Sequence, residues 1–238
     1  NPVAWVETSR GCLYGCVYCN KNCFGRTFRV KSPKRVVSEF IKIKDLGFRE
    51  IHLTDDGFTT DINRAKKICD LLIEKKVNIL WSTITGIRVD RVDSELLKKM
   101  KKAGCYRVYF GIESGNQEVL DKVIKKRINL KTVKPIIDIC KKLKIRTEGA
   151  FIFGAPGQTI AAMEDNLKFA EECGFDRVIR FVYQPFPNTE LYKICEEKGY
   201  FTPDYDPKKL YLTGSKSFVK TEDFTPDDVL RIARKNIK

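Results

Sequence analysis

Apolar positions along the chain alternate between two spacings. Short runs rich in β-branched and aromatic residues read as strands at residues 3–7, 51–54, 79–84, 107–112, 147–153 and 177–183. After each of the first five the spacing lengthens to that of a helix with one apolar face. The faces are Val36, Phe40 and Ile43; Ile62, Ala65, Cys69 and Leu72; Leu96, Leu97 and Met100; Val133, Ile136, Ile137 and Cys140; and Ile160, Met163, Leu167 and Ala170. The pattern predicts six β–α units with parallel strands and right-handed crossovers, either as an open doubly wound sheet or as a barrel with helices outside. Periodicity does not choose between the two. No Gly/Ser/Pro linker interrupts the run up to Tyr183, so residues 1–199 are expected to form one core domain. Residues 200–238 read as an extension: Tyr200 to Glu222 is rich in Pro, Asp and Lys, and Thr225-Pro226-Asp227-Asp228 carries the N-cap, first-turn proline and acidic start of a closing helix.

Composition narrows the class. With 238 residues, 42% apolar and 32% charged, the chain can bury a full core. No apolar run approaches the roughly 18–20 residues of a membrane span. The start, Asn1-Pro2-Val3-Ala4-Trp5, has neither an initiator Met nor a signal-peptide pattern, and the expectation is that the natural N-terminus lies upstream. Nine cysteines, three of them in eight residues and the rest scattered, do not resemble the framework of a small disulfide-bonded domain, and a reducing cytoplasm fits them better. A single histidine, His52, within a predicted strand, leaves little for a histidine relay or a His-rich metal site and reads as a packed residue. The net charge of +14 favours an anionic partner, a small molecule or a nucleic acid. Its clusters, at residues 98–102, 125–127 and 141–144, fall on predicted helices, where such residues are more often a solvated face.

The candidate chemistry gathers at the strand ends, which in parallel α/β folds share one face. Strand one is followed by Arg10-Gly11-Cys12-Leu13-Tyr14-Gly15-Cys16-Val17-Tyr18-Cys19, strand two by Asp55-Asp56-Gly57, strand three by Thr85 and Arg88. Strand four leads into Glu113-Ser114-Gly115, strand five into Gly154-Ala155-Pro156-Gly157-Gln158, and strand six into Gln184-Pro185. Three thiolates spaced C-x3-C-x2-C on one loop can wrap a single metal centre, Gly11 and Gly15 giving the backbone freedom. Cys23 and His52 are the candidates for a fourth ligand. If Cys23 ligates, a closed four-thiolate cluster results, suited to electron transfer or structure. Cys69, Cys140, Cys173 and Cys195 lie on or beside apolar helix stripes and read as core.

The segment Glu7-Thr8-Ser9-Arg10-Gly11-Cys12 through Cys19 resembles the cluster loop of radical S-adenosylmethionine (SAM) enzymes, including the aromatic Tyr18 before the third cysteine. Asp55-Asp56-Gly57-Phe58 resembles that family's strand-two motif, which binds the methionine amino group. Gly111-Ile112-Glu113-Ser114-Gly115 resembles the strand-four segment whose Glu approaches the ribose, and Phe153-Gly154-Ala155-Pro156-Gly157-Gln158-Thr159 the strand-five segment beside the adenine. Asn20-Lys21-Asn22, Phe24-Gly25-Arg26, the DD-x-F motif and Arg88-Val89-Asp90 look most like the branch with an N-terminal cobalamin-binding domain, which includes methylases and the anaerobic magnesium-protoporphyrin monomethyl ester cyclase. Cys23, Gln158 and Asn188 depart from the pattern, standing where an apolar residue, a Glu and a Gly are usual.

The resemblance, over roughly residues 3 to 195, implies a partial (β/α)6 TIM-like barrel with a short C-terminal extension. It implies a 4Fe-4S cluster on Cys12, Cys16 and Cys19 and contacts to SAM from Tyr18, Asp55, Asp56, Gly57, Arg88, Glu113, Ser114, Gly154 and Gln184. Cobalamin enters only through a domain absent from these residues. The implied reaction is reductive cleavage of SAM to a 5′-deoxyadenosyl radical that abstracts hydrogen from a substrate, for methylation, cyclisation or another C–H functionalisation. An external donor such as flavodoxin or ferredoxin supplies the electron. Two rival readings stay open at this point: a four-cysteine electron carrier, and a radical SAM enzyme that modifies RNA.

Overall fold

The computed structural model describes residues 2–20, 27–208 and 216–236, so the expectation for Cys23 lies outside the described residues. Six strands, β1 (Val3–Val6), β4 (Glu50–Leu53), β5 (Leu80–Thr83), β6 (Cys105–Glu113), β7 (Arg146–Phe153) and β8 (Arg177–Val182), form one sheet in that order, every neighbouring pair parallel. The consecutive order settles what periodicity left open. A doubly wound sheet reverses direction at a switch point, whereas an unbroken order is that of a barrel wall. Here β1 and β8 stay unpaired with each other, and the barrel is partial. Each edge strand carries an exposed aromatic residue, Trp5 and Phe181.

Helices α1 (Pro33–Asp45), α2 (Ile62–Glu74), α3 (Ser94–Lys102), α4 (Val133–Lys142), α5 (Ile160–Cys173) and α6 (Glu190–Lys198) follow the main strands in turn. Their starts are set locally. The side chains of Ser32, Asp61, Asp93, Thr159 and Thr189 each accept a hydrogen bond from a first-turn amide. The apolar stripes read from the sequence are the buried ones, with Val36, Phe40, Ala65, Cys69, Leu72, Leu96, Met100, Val133, Ile137 and Cys140 almost fully enclosed between helices and sheet. A two-stranded antiparallel pair, β2 (Ser9–Arg10) with β3 (Arg29–Val30), lies outside the barrel wall and brings together the two ends of the thiol loop.

The extension returns to the same core. Phe201 bridges to Val219, and α7 (Pro226–Ala233) places Val229 and Ile232 in the hydrophobic cluster shared by the six β–α units. Its start is the N-cap expected at Thr225, and the structure adds a capping box: Thr225 Oγ1 caps the Asp228 amide, and the Asp228 carboxylate accepts from the Thr225 amide. The hydrogen bond from Thr225, and after it that from Arg231, holds the Asp228 carboxyl at about 2. A depressed carboxyl contributes stability that is full above its unfolded value, 3.8, and disappears as pH falls through about 2. Asp228→Asn is therefore expected to flatten the fall in thermal midpoint between these two pH values, measured by circular dichroism on both proteins.

Candidate functional site

The carboxyl ends of the strands surround one cavity of about 390 Å³. Cys12, Cys16 and Cys19 line it from the loop after β1, Asp56 and Gly57 from the end of β4, and Arg88 from the end of β5. Glu113 closes β6, Gln184 follows β8, and Ile152, Phe181 and Tyr183 form an apolar flank. Its size and mostly apolar lining with a few convergent polar groups are those of a cofactor or small-molecule site.

Within the loop, Gly11 takes φ of 88°, a backbone conformation that disfavours a side chain, and there its amide donates to Asp56 Oδ2 at 2.8 Å. Gly15, expected to share that freedom, is not among the left-handed glycines. Burial pushes the Cys16 thiol up, the Glu113 charge adds to it, and Lys126 and Arg88 oppose it. A metal that takes this sulfur displaces its proton. Among the described residues no three His, Cys, Asp or Glu side chains stand close enough to hold a metal ion as they are. The three thiols line one cavity without converging on one point.

Glu113 is the most constrained of the cavity residues. It has φ of 75°, unusual for a residue with a side chain, and the β6–β7 register slips between Gly111 and Glu113. The bulge turns the carboxylate to the cavity, where Oε1 accepts from Lys126 Nζ at 2.7 Å and from Tyr18 Oη at 2.8 Å. The pair is buried, its side chains 8% and 10% exposed. Gly111 makes room for it: a Cβ there would stand 2.6 Å from Glu113 Oε1 and 2.8 Å from Lys126 Nζ. Burial, and after it the charge of Glu113, push the Tyr18 phenol well above its ordinary range, so it stays a donor.

Other predicted residues are placed differently. Arg88 lines the cavity but is held by a bidentate pair of 2.9 Å bonds to Asp90, a bond to the Lys126 carbonyl and a stack over the Tyr14 ring. Gln184 Nε2 donates to the Lys216 carbonyl at 2.9 Å. Three residues lie behind the wall. Asp55 is 2% exposed and accepts from Thr8 and Ser9; Ser114 is fully buried and donates to Asn166 Oδ1; Gly154 packs against Val229 of α7. Gln158 is also internal, accepting from the Ala155 amide and donating to the Ile152 carbonyl.

Lys126 and Arg91 are cavity residues that the sequence did not single out, and the Lys126 segment needs a correction. Residues 125–127 were expected on the solvated face of a helix, yet Lys125 and Arg127 have φ of 54° and 55° and follow a short π-helical turn at Val119–Val123. Burial alternates from Ile124 through Lys126 to Ile128. The two isoleucines that flank the three basic residues, in an Ile-Lys-Lys-Arg-Ile run, were the visible signal of this alternation, and the left-handed turns at Lys125 and Arg127 leave the middle Lys turned inward. Cys69, Cys105, Cys140, Cys173 and Cys195 are buried, and burial pushes Cys69, Cys140 and Cys195 up to about 12, so these thiols pack as neutral side chains.

Fold and cavity together define a parallel α/β partial-barrel protein with one cavity, lined by three thiols, at its strand ends. The family model of the radical SAM superfamily matches residues 6–170, and the chain belongs to that superfamily. Membership implies a 4Fe-4S cluster and SAM. The chain is 35% identical over 210 residues to the cytidylyl-2-hydroxyethylphosphonate methyltransferase of Streptomyces wedmorensis, covering 85% of this chain and 39% of that protein. It is 34% identical over 236 residues to an uncharacterized methyltransferase of Pyrococcus horikoshii, covering 98% of this chain and 50% of that one. Against the anaerobic magnesium-protoporphyrin IX monomethyl ester cyclase of Rubrivivax gelatinosus the identity is 30%, over 82% of this chain and 35% of the other. The chain thus spans half or less of these relatives. In fold it is similar to the radical SAM methyltransferase TsrM of Kitasatospora setae, solved with cobalamin and a [4Fe-4S] cluster, with a TM-score of 0.75 at 20% identity over 83% of this chain and 40% of that one. No helix among the described residues is long and apolar enough to cross a membrane.

Proposed function

We propose that this chain is the SAM-cleaving core of an enzyme that methylates or cyclises a small anionic substrate in a reducing cytoplasm, with electrons from a flavodoxin or ferredoxin and with cobalamin, where used, held by a domain outside these residues. The observation that carries the reading is the convergence of Cys12, Cys16, Cys19, Asp56 and the strained Glu113 on one cavity at the strand ends. The residues fit the group: a single loop offers three thiols for four irons, leaving one iron open to a further ligand. When bound, the cluster and SAM supply one-electron reductive cleavage of the sulfonium.

The chain's own residues bind, orient and exclude water. Gly11 fixes Asp56 at the cavity wall, where its carboxylate is set to receive a cationic group such as the amine of SAM. Lys126 and Tyr18 both occupy Oε1 of Glu113, which orients the carboxylate toward hydroxyl donors such as a ribose. Ile152, Phe181, Tyr183 and Phe186 keep one flank apolar, and Arg91 on the cavity wall supplies a cation for an anionic substrate. Names of the relatives support methyl transfer and cyclisation as the reaction types. Product analysis separates the outcomes: the reduced, cluster-loaded protein is expected to convert SAM to 5′-deoxyadenosine and methionine. S-adenosylhomocysteine without 5′-deoxyadenosine would instead mark a methylase that makes no radical, and intact SAM would contradict the reading.

A further inference from the structure

The thiol loop leaves the barrel after Thr8 and returns at Lys31, and a buried network spans this neck. Asp55 Oδ1 accepts from the Thr8 amide at 2.7 Å, and Oδ2 accepts from Thr8 Oγ1 at 2.5 Å and Ser9 Oγ at 2.6 Å. From the other side Arg64, on the first turn of α2, donates through Nη2 to the Thr8 carbonyl at 2.7 Å and to Thr8 Oγ1 at 3.1 Å. Its Nε donates to the Lys31 carbonyl at 3.0 Å, and the Lys31 amide closes the ring by donating to the Thr8 carbonyl at 2.9 Å. Thr8 is fully buried, Asp55 is 2% exposed and Arg64 6%.

We propose that Asp55 and Arg64 are positioning residues forming a latch across the neck of the loop, and that the latch sets how firmly the loop holds its cluster; this rests on the loop carrying a cluster. Neither side chain lines the cavity, so the latch acts through the backbone at Thr8 and Lys31. The Asp-Asp pair then divides its work. Asp56 faces the cavity from the Gly11 amide, while Asp55, with both carboxylate oxygens bonded to Thr8 or Ser9, ties strand end to loop. The guanidinium suits its position because its nitrogens form a rigid fork reaching two carbonyls at once, on opposite sides of the neck, while its charge faces the buried carboxylate. A lysine keeps the charge and loses the fork.

The test compares Arg64→Lys and Arg64→Gln with Leu72→Ala, a core deletion on the same helix that lowers stability without touching the neck. In anaerobically reconstituted protein, iron loss to a chelator is expected to run roughly 10–100-fold faster in both Arg64 variants, the cost typical of losing an outer support of a metal site. Leu72→Ala is expected to release iron at the wild-type rate below its melting range. In the metal-free protein, amide hydrogen exchange at Thr8 and Lys31 is expected to quicken in both Arg64 variants and not in Leu72→Ala. Wild-type exchange and iron loss in the folded Arg64 variants would overturn the latch, as would equal acceleration in Leu72→Ala. If the wild-type protein takes up no iron, the cluster reading fails, and the exchange rates still decide whether the neck is latched.

Discussion

Replacing Cys16 by alanine is expected to abolish the four-iron chromophore of the reconstituted protein and to lower SAM cleavage by well over 100-fold, with Cys12→Ala and Cys19→Ala behaving alike. Loss of even an outer partner of a metal ligand costs roughly 10–100-fold, and here the ligand itself is removed from a set with no spare on the described loop. The five remaining described cysteines are buried in the core and cannot substitute, so Cys173→Ala serves as control and is expected to keep its iron. Iron content, the charge-transfer absorbance and 5′-deoxyadenosine formation read the effect. Full iron in Cys16→Ala would mean that another residue completes the centre.

Lys126→Met is expected to destabilise the protein by about 3–5 kcal/mol, because it leaves the Glu113 carboxylate buried without its cation. For a chain of this size that corresponds to a fall of roughly 6–20 °C in thermal midpoint. The double variant Lys126→Met/Glu113→Gln removes both charges and keeps the Tyr18 hydrogen bond, and it is expected to regain most of the loss, since neutralising a buried pair costs far less than breaking it. Both proteins are expected to bind SAM more weakly than wild type by isothermal titration. The backbone at Glu113 points the same way. A left-handed Glu costs about 1–3 kcal/mol, and such strain persists where a site needs the side chain in that place. A double variant as unstable as Lys126→Met would contradict the pairing.

Much of this was legible in the chain, for identifiable reasons. The β–α alternation fixed the strands because an interior parallel strand is apolar on both faces and its crossover helix on one, two periods that do not overlap. The thiol loop was visible because three cysteines in eight residues have no packing explanation. What the sequence did not separate was neighbouring polar residues of one strand-end segment. Asp55 and Asp56 are adjacent and chemically alike, and only the turn after β4 sends one to Thr8 and the other to the cavity. Ser114 and Gly154 sit beside the site in sequence, yet Asn166 and Val229 claim them. Lys126 was hidden by its company in a basic cluster, although the alternation from Ile124 to Ile128 carried the signal.

In the proposed site the three thiols would leave one iron open for SAM. Electron paramagnetic resonance of the anaerobically reconstituted, reduced protein, recorded before and after adding SAM, tests that open position. One four-iron cluster whose spectrum shifts on addition of SAM is the result predicted by a site of Cys12, Cys16 and Cys19. An unchanged spectrum, together with loss of iron in Cys23→Ala, would show a closed four-cysteine centre and contradict it.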